Sequence, residues 1–288
     1  MMNVKELRHS VKNFLELKNC NFCDADVTLI LMKVLNISKT QMLVGDKIVT
    51  SEEETAVFEY AKRLAVGEPV QYIINECEFM SLPFYVERGV LIPRDDTDIL
   101  VEEVIRRLDK DVKLSVADLC CGSGCIGISI AKYMKNIQMH FYDISETAIR
   151  VTDKNAERLI GDRDYCITQM DLINDFPTEY YDCIVSNPPY IESCEIDSLE
   201  EKVKCFEPKE ALDGGNDGLI FYERISSAAR LKNGGIIAFE IGYNQGDAVS
   251  EILHRNGYSH IEILKDIEER DRVVIARNIS QHSLQNDS

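Results

Sequence analysis

The chain has 288 residues, 45% of them apolar and 28% charged, and a formal net charge of −18. That length holds one large α/β domain or two smaller ones. The acidity disfavours duplex nucleic acid as the main partner, because phosphate binding rests on Lys and Arg. No apolar run reaches the length of a membrane span, and the start of the chain, with Lys5 and Glu6 and no apolar core behind them, reads as neither signal nor transit peptide. A cytosolic protein without membrane association is expected. The ten cysteines should stay reduced in that compartment. Cys20 and Cys23 form a C-x-x-C pair with no second pair at zinc spacing, so no metal site is expected. Cys166 and Cys183 fall in apolar runs and read as small core residues.

Residues 1–66 read as a helical domain. Val4, Leu7, Val11, Phe14 and Leu15 recur at helical spacing, and Leu29, Ile30, Met32 and Val34 mark a second helix behind Asp24 or Asp26. Ser38 suits the start of a third, and Ser51 with Glu54 has the spacing of a capping box before Val57, Tyr60, Ala61 and Leu64. Nothing here carries chemistry, so the domain reads as a docking or specificity module. In residues 67–90 short apolar runs alternate with turn residues, as in a β-hairpin linker. Arg94 then stands as an isolated base beside Asp95, Asp96 and Asp98, where an ion pair is the simplest reading.

Residues 91–277 form the larger domain. Strands are expected at 114–119, 139–142, 166–170, 181–185 and 236–241, and helices at 126–134, 146–159, 219–231 and 247–255. Such alternation predicts a parallel sheet with helices on both faces. Two final strands, 261–264 and 273–276, have no helix between them and should make an antiparallel hairpin at one edge. Residues 278–288 are expected to be a disordered polar tail.

Two loops carry candidate chemistry. Cys120-Cys121-Gly122-Ser123-Gly124 joins the first strand of this domain to its first helix. Its glycines permit a tight turn, and the helix start suits an anionic group. Asp143, nineteen residues beyond Gly124 at the end of the second strand, is placed to accept both hydroxyls of a ribose. The pattern points to a nucleoside-containing cofactor. With Gly127 the loop satisfies the dinucleotide fingerprint, which keeps an NAD-dependent oxidoreductase as an alternative. S-adenosylmethionine fits better: Asp171, after the third strand, can accept from an adenine amino group, and no residue is placed to handle a hydride-transfer proton. The second loop, Asn187-Pro188-Pro189-Tyr190, follows the buried-looking run Cys183-Ile184-Val185. The Asn187 side-chain oxygen and the Pro188 carbonyl can hold both N–H groups of a planar amine or amide. That would aim its lone pair at the methyl of a sulfonium donor, with Tyr190 as a wall.

These segments resemble the peptide chain release factor N5-glutamine methyltransferases, the PrmC/HemK family. The likeness runs through Glu68-Pro69-Val70-Gln71-Tyr72-Ile73, Leu91-Ile92-Pro93-Arg94 and both loops. It continues in Glu207-Pro208-Lys209-Glu210-Ala211-Leu212-Asp213-Gly214-Gly215 and Glu240-Ile241-Gly242-Tyr243-Asn244-Gln245-Gly246. The resemblance implies a class I S-adenosylmethionine-dependent methyltransferase fold. This is Rossmann-like, with a seven-stranded, mostly parallel sheet, an antiparallel C-terminal hairpin and a small N-terminal helical docking domain. It implies cofactor binding by Cys120, Cys121, Gly122, Ser123, Gly124, Asp143, Asp171, Leu172 and Asn187, and a catalytic Asn187-Pro188-Pro189-Tyr190. The acceptor it implies is the glutamine of the Gly-Gly-Gln loop of release factors, with Arg94 as a substrate-loop contact and no stable nucleic-acid partner. Asn-Pro-Pro-Tyr is shared with DNA and RNA exocyclic-amine methyltransferases, which makes those the other alternative. Cys120-Cys121 stands where the family usually has Gly-Thr or Gly-Ser, so the bend is less free, and Leu172 stands where an aromatic residue often covers the adenine.

Overall fold

The computed structural model describes residues 2–279; of the tail expected from 278, Asn278 is bonded to the sheet rather than disordered, and residues 280–288 lie outside the described residues. Two compact units emerge: one holds the described residues up to Glu76 together with Glu200–Phe206, the other Cys77–Leu199 and the described residues from Glu207 onward.

The first unit is helical: α1 (Val4–Leu17), α2 (Asp24–Leu35), α3 (Lys39–Val44), α4 (Ser51–Ala65), α5 (Val70–Ile74) and, from later in the chain, α9 (Glu201–Phe206). Capping boxes start α1 at Asn3 with Glu6, α3 at Ser38 with Gln41, and α4 at Thr50 with Glu53. The last lies one residue ahead of the expected Ser51–Glu54 box, because the extended backbone of Thr50 frees its hydroxyl to accept from Glu53 N. Val4, Leu7, Val11, Val27, Ile30 and Val57 are fully buried in one apolar cluster. Residues 70–74, expected in a hairpin, form a single helical turn instead. Pro69 starts it, Asn75 in the left-handed region (φ 54°) ends it, and Val70, Ile73 and Ile74 turn into the helical core. Arg63 grips Glu68 with two hydrogen bonds of 2.8 Å. Cys20, half of the C-x-x-C pair, donates its thiol to the Leu64 carbonyl.

The hairpin itself is confined to β1 (Cys77–Phe79) and β2 (Leu82–Phe84), turning on Met80 and Ser81, both at positive φ. After α6 (Asp98–Arg107) come β3 (Leu114–Leu119), α7 (Cys125–Tyr133), β4 (Ile137–Asp143), α8 (Glu146–Leu159), β5 (Tyr165–Gln169) and β6 (Tyr181–Ser186). Beyond α9 follow α10 (Ile220–Ala228), β7 (Leu231–Glu240), α11 (Gly246–Arg255), β8 (Ser259–Lys265) and β9 (Asp271–Arg277). Seven strands form one sheet in the order β5-β4-β3-β6-β7-β9-β8. The first five are parallel, and β9 runs antiparallel between β7 and β8. The late hairpin is therefore at the edge, with its second strand on the inside. Asn278 extends the ladder by one step, its N–H donating to the Gly235 carbonyl at 2.9 Å.

Central strands of a parallel sheet are covered on both faces and read as unbroken apolar runs. In β3, Val116 belongs to one apolar cluster and Ala117 to the other, one on each face. Cys183 in β6 is fully buried, as expected, but Cys166 is exposed. Its strand, β5, is the open edge of the sheet, where alternate side chains meet solvent. Among the described residues no helix is long and apolar enough to cross a membrane.

Gly127 in α7 sets how closely that helix lies on the sheet. A Cβ there would come within 2.5 Å of the Phe141 ring and 2.6 Å of the Met139 methyl. Gly127→Ala should therefore lower stability by about 1–3 kcal/mol through overpacking. A chemical denaturation curve with an unchanged midpoint would contradict this packing.

Candidate active site

Strand β3 pairs with β4 on one side and β6 on the other, so chain connections diverge between β3 and β6. A crevice forms at such a point beyond the carboxyl ends of the strands. The two strands end level: Leu119 pairs with Ser186, whose hydroxyl donates to the Leu119 carbonyl at 2.6 Å. Cys120 and Asn187 therefore leave the sheet side by side. A cavity of about 540 Å³ opens over them. It is lined by Cys120, Cys121, Gly122, Ser123, Asp143, Asp171, Leu172, Asn187 and Pro189 among others. Of the residues singled out from sequence, Arg94, Gly124, Gly127, Pro188 and Tyr190 are not in its wall.

The glycine loop turns through three left-handed residues, Cys120 (φ 58°), Gly122 (φ 56°) and Gly124 (φ 77°). Cys120 takes this conformation despite its Cβ, at a cost of about 1–2 kcal/mol. Gly124 is the N-cap of α7, packed so closely that a Cβ would lie 2.8 Å from Ile128 and 2.9 Å from Thr152. Gly122 faces open space instead, with nothing within 4 Å of where a Cβ would be. Helix α8 clamps the loop: the Thr152 hydroxyl donates to the Gly122 carbonyl at 3.0 Å, and Asn155 Nδ2 to that of Ser123 at 2.9 Å. Both side chains are fully buried. Neither was singled out from sequence, although two polar residues on the inward face of an amphipathic helix are a readable signal.

Asp143 ties two loops together. Its Oδ2 accepts from Gly122 N and its Oδ1 from Ser145 N, both at 2.9 Å. Each oxygen retains a lone pair for a further donor. Burial raises its carboxyl above the usual range, and the backbone donors of Ser145, Gly122 and Ile144 pull it back. Asp171 is likewise engaged, accepting from Ile173 N at 3.0 Å and Asn174 Nδ2 at 2.7 Å, and the Asn174 bond holds its carboxyl below the usual range. Leu172 is buried beside it, with its carbonyl accepting from Arg224 Nε at 2.9 Å.

The second loop rests on a bed of backbone and side-chain contacts. The Ile191 N–H donates to the Leu212 carbonyl at 2.9 Å, and the Gly214 N–H returns to Ile191 at 2.8 Å. Cβ atoms on Gly214 or Gly218 would strike the backbone of Tyr190, at 2.7 and 2.3 Å. Gln245 Nε2 donates to the Tyr190 carbonyl at 3.0 Å while its Oε1 accepts from Gly242 N at 2.9 Å. Glu240, a buried acid, accepts from the Thr97 hydroxyl at 2.6 Å, and burial raises its carboxyl against the pull of Thr97, Arg272 and Asn187. Arg94 is ion-paired, though not to its neighbouring aspartates: it meets Glu207 Oε1 at 2.6 Å, 113 residues away. Among the described residues no group of three or more His, Cys, Asp or Glu is arranged to hold a metal ion.

A family model described as the PrmC N-terminal domain matches residues 6–74, and one described as the methyltransferase small domain matches residues 84–204. The release factor glutamine methyltransferase of Clostridium acetobutylicum is 41% identical over 281 residues, spanning 96% of this chain and 98% of that protein. Its namesake from Thermodesulfovibrio yellowstonii is 40% identical over 250 residues, 85% of this chain and 89% of its own length. The chain belongs to the release factor glutamine methyltransferase family. It is a methyltransferase with S-adenosylmethionine as its methyl donor. A Pyrococcus furiosus methyltransferase of known structure shares the fold at 14% identity, with a TM-score of 0.50 over 70% of this chain and 91% of that one. Membership in this family favours neither the oxidoreductase nor the nucleic-acid alternative.

Two buried acids flank the methyltransferase cavity. Asp118, fully buried below the glycine loop, accepts from Gly127 N at 2.8 Å through Oδ2, while Oδ1 has no partner. Burial pushes its carboxyl up to about 7 against the pull of that hydrogen bond. An acid raised in this way holds its proton more tightly in the folded state. Its presence lowers stability progressively as pH climbs from the ordinary 3.8 to about 7, and fully above that. Asp118→Asn should therefore gain more stability at pH 8 than at pH 5. Equal gains in thermal unfolding at the two pH values would show that the Asp118 carboxyl is not raised in the folded protein.

Proposed function

We propose that this protein methylates the side-chain amide nitrogen of a glutamine in peptide chain release factors, namely the glutamine of their Gly-Gly-Gln motif, in the cytoplasm. The observation that carries this reading is that the glycine loop and Asn187 leave adjacent strands at paired positions and line one cavity.

The residues present fit the donor. The space beside Gly122 is open, Asp143 has lone pairs to spare for ribose hydroxyls, and the start of α7 suits a carboxylate. Leu172 with Ile144 and Phe221 offers apolar walls for a planar base, and Asp171 stands at the same end to accept from an amino group. S-adenosylmethionine supplies an electrophilic methyl on a positively charged sulfur. A glutamine amide is a poor nucleophile because its nitrogen lone pair is delocalised into the carbonyl. Asn187 Oδ1 and the Pro188 carbonyl accept its two N–H bonds, turning the lone pair toward the methyl and stabilising the positive charge that develops on nitrogen. The two prolines fix the backbone on which those acceptors sit. Tyr190, whose phenol burial pushes up to about 12, stays neutral and holds the end of the proline loop through its carbonyl, which accepts from Gln245 Nε2. No base is needed before the methyl moves. The helical unit, which lacks catalytic groups, serves as the docking module for the release factor.

Asn187→Ala should leave S-adenosylmethionine affinity nearly unchanged and slow methyl transfer to a release factor by about 100-fold or more. The assay is incubation with labelled donor followed by mass spectrometry of the Gly-Gly-Gln peptide. Near-normal methylation by this variant, or label found elsewhere, would reject the assigned site. Asp143→Ala should instead weaken donor binding by about tenfold or more, and unchanged affinity in calorimetry would remove Asp143 from the ribose site.

A further inference from the structure

Among the described residues that line the cavity, the charged side chains are Asp143, Asp171 and Glu210, three acids and no base. The first two are engaged by donors of their own, Gly122 N and Ser145 N at Asp143, Ile173 N and Asn174 Nδ2 at Asp171. Glu210 is placed differently. It lies exposed in the short turn Lys209–Ala211, which Pro208 opens and which runs into the bed of the proline loop. Two residues on, the Leu212 carbonyl accepts from Ile191 N, and Asp213 bridges to Ile191. Ile191 directly follows Tyr190, so Glu210 is carried by the segment that supports Asn187-Pro188-Pro189-Tyr190.

The cations that flank this segment are already paired. Lys209 reaches Asp213 at 3.7 Å, and Arg94, next to the cavity-lining Pro93, meets the buried Glu207 at 2.6 Å. Glu210 itself has no cationic partner among the described residues. It therefore leaves one uncompensated negative charge on the acceptor side of the cavity. The side-chain amide of a glutamine is neutral and makes little use of a full charge. A lysine or arginine beside that glutamine does use it. We propose that Glu210 is a specificity-determining residue that reads the charge next to the target glutamine, favouring an acceptor segment with a basic residue there. This rests on the acceptor being a glutamine of a release factor, as assigned above. An ion pair of this kind, partly exposed at a cavity rim, governs choice of partner more than raw affinity. It is also weakened by salt, which shortens the range of the attraction.

The test is a charge swap between full-length enzyme and full-length release factor. Release factor variants carry Lys, Ala or Glu directly after the target glutamine, and in a second set directly before the Gly-Gly-Gln. With labelled S-adenosylmethionine at low salt, the wild-type enzyme should prefer Lys over Glu in kcat/KM by about tenfold at one of these positions. Raising the salt should shrink that preference. Glu210→Gln should compress it to about twofold or less, and Glu210→Lys should reverse it. Because Glu210 is exposed, neither substitution puts the fold at risk. The same ranking in all three enzymes, or no ranking by the wild type, would overturn the role of Glu210. If Glu210→Gln instead weakens S-adenosylmethionine binding in calorimetry and leaves the ranking intact, Glu210 serves the donor and the inference fails. A wild-type enzyme that labels no release factor would refute the substrate assignment, and this inference with it; normal labelling without a charge preference would refute the inference alone.

Discussion

The parallel pairing of β3 with β6 is the constraint from which the rest follows. Because Leu119 and Ser186 are level in the ladder, two loops of unrelated composition leave the sheet next to each other. One is rich in small residues and bends back over the start of α7. The other is stiffened by two prolines. Crossovers from these strands run in opposite directions along the sheet, so no helix covers the gap between them. Ser186 closes the arrangement from below by bonding to the Leu119 carbonyl, satisfying a buried acceptor at the one place where the ladder stops.

Neither loop is left to find its own shape. The glycine loop is held by Thr152, Asn155 and Asp143, and the proline loop by Gln245 and the backbone around Gly214 and Gly218. In each case a buried side chain fills the hydrogen-bonding capacity of a backbone group that would otherwise cost about 1–3 kcal/mol unsatisfied. Loops built this way are ordered before any ligand arrives. A reaction that depends on aiming a weak nucleophile gains most from such preorganisation, since little reorganisation remains to be done in the transition state.

Much of this was legible in the residues. The period change near residue 114, the unbroken apolar runs of β3 and β6 and the glycine loop are local signals, and local physics decides them. So is the acid Asp143 at a strand end. Residues 70–74 are short and mostly apolar, a pattern that fits strand and helix equally, and only the helical core around Val70 and Ile73 decides between them. Cys166 was misplaced because an apolar run does not say whether its strand lies at the centre or the edge. What sequence alone hid most completely was the support of the site. Glu207 meets Arg94 across 113 positions and Gln245 meets Tyr190 across 55. Such partners have no spacing rule, and only a trace remained: an acid such as Glu240 closing an otherwise apolar run.

That trace has a physical meaning. An acid on a strand covered on both faces is costly, because burial penalises its charged form. Asp118 and Glu240 both accept this cost, and both are raised to about 7 by it. The compensation differs. Asp118 binds one backbone N–H and leaves an oxygen orphaned, so its use is to seat Gly127 and the helix that forms the cofactor loop. Glu240 has Thr97, Asn187 and the nearby Arg272, enough to keep its ionised form accessible near neutral pH. An apolar residue at either position would relieve the desolvation penalty. At 118 it would leave the Gly127 N–H at the start of α7 without its acceptor, and at 240 it would do the same to the Thr97 hydroxyl. Each acid thus answers a donor that an apolar side chain would leave unpaired, the Gly127 N–H at 118 and the Thr97 hydroxyl at 240.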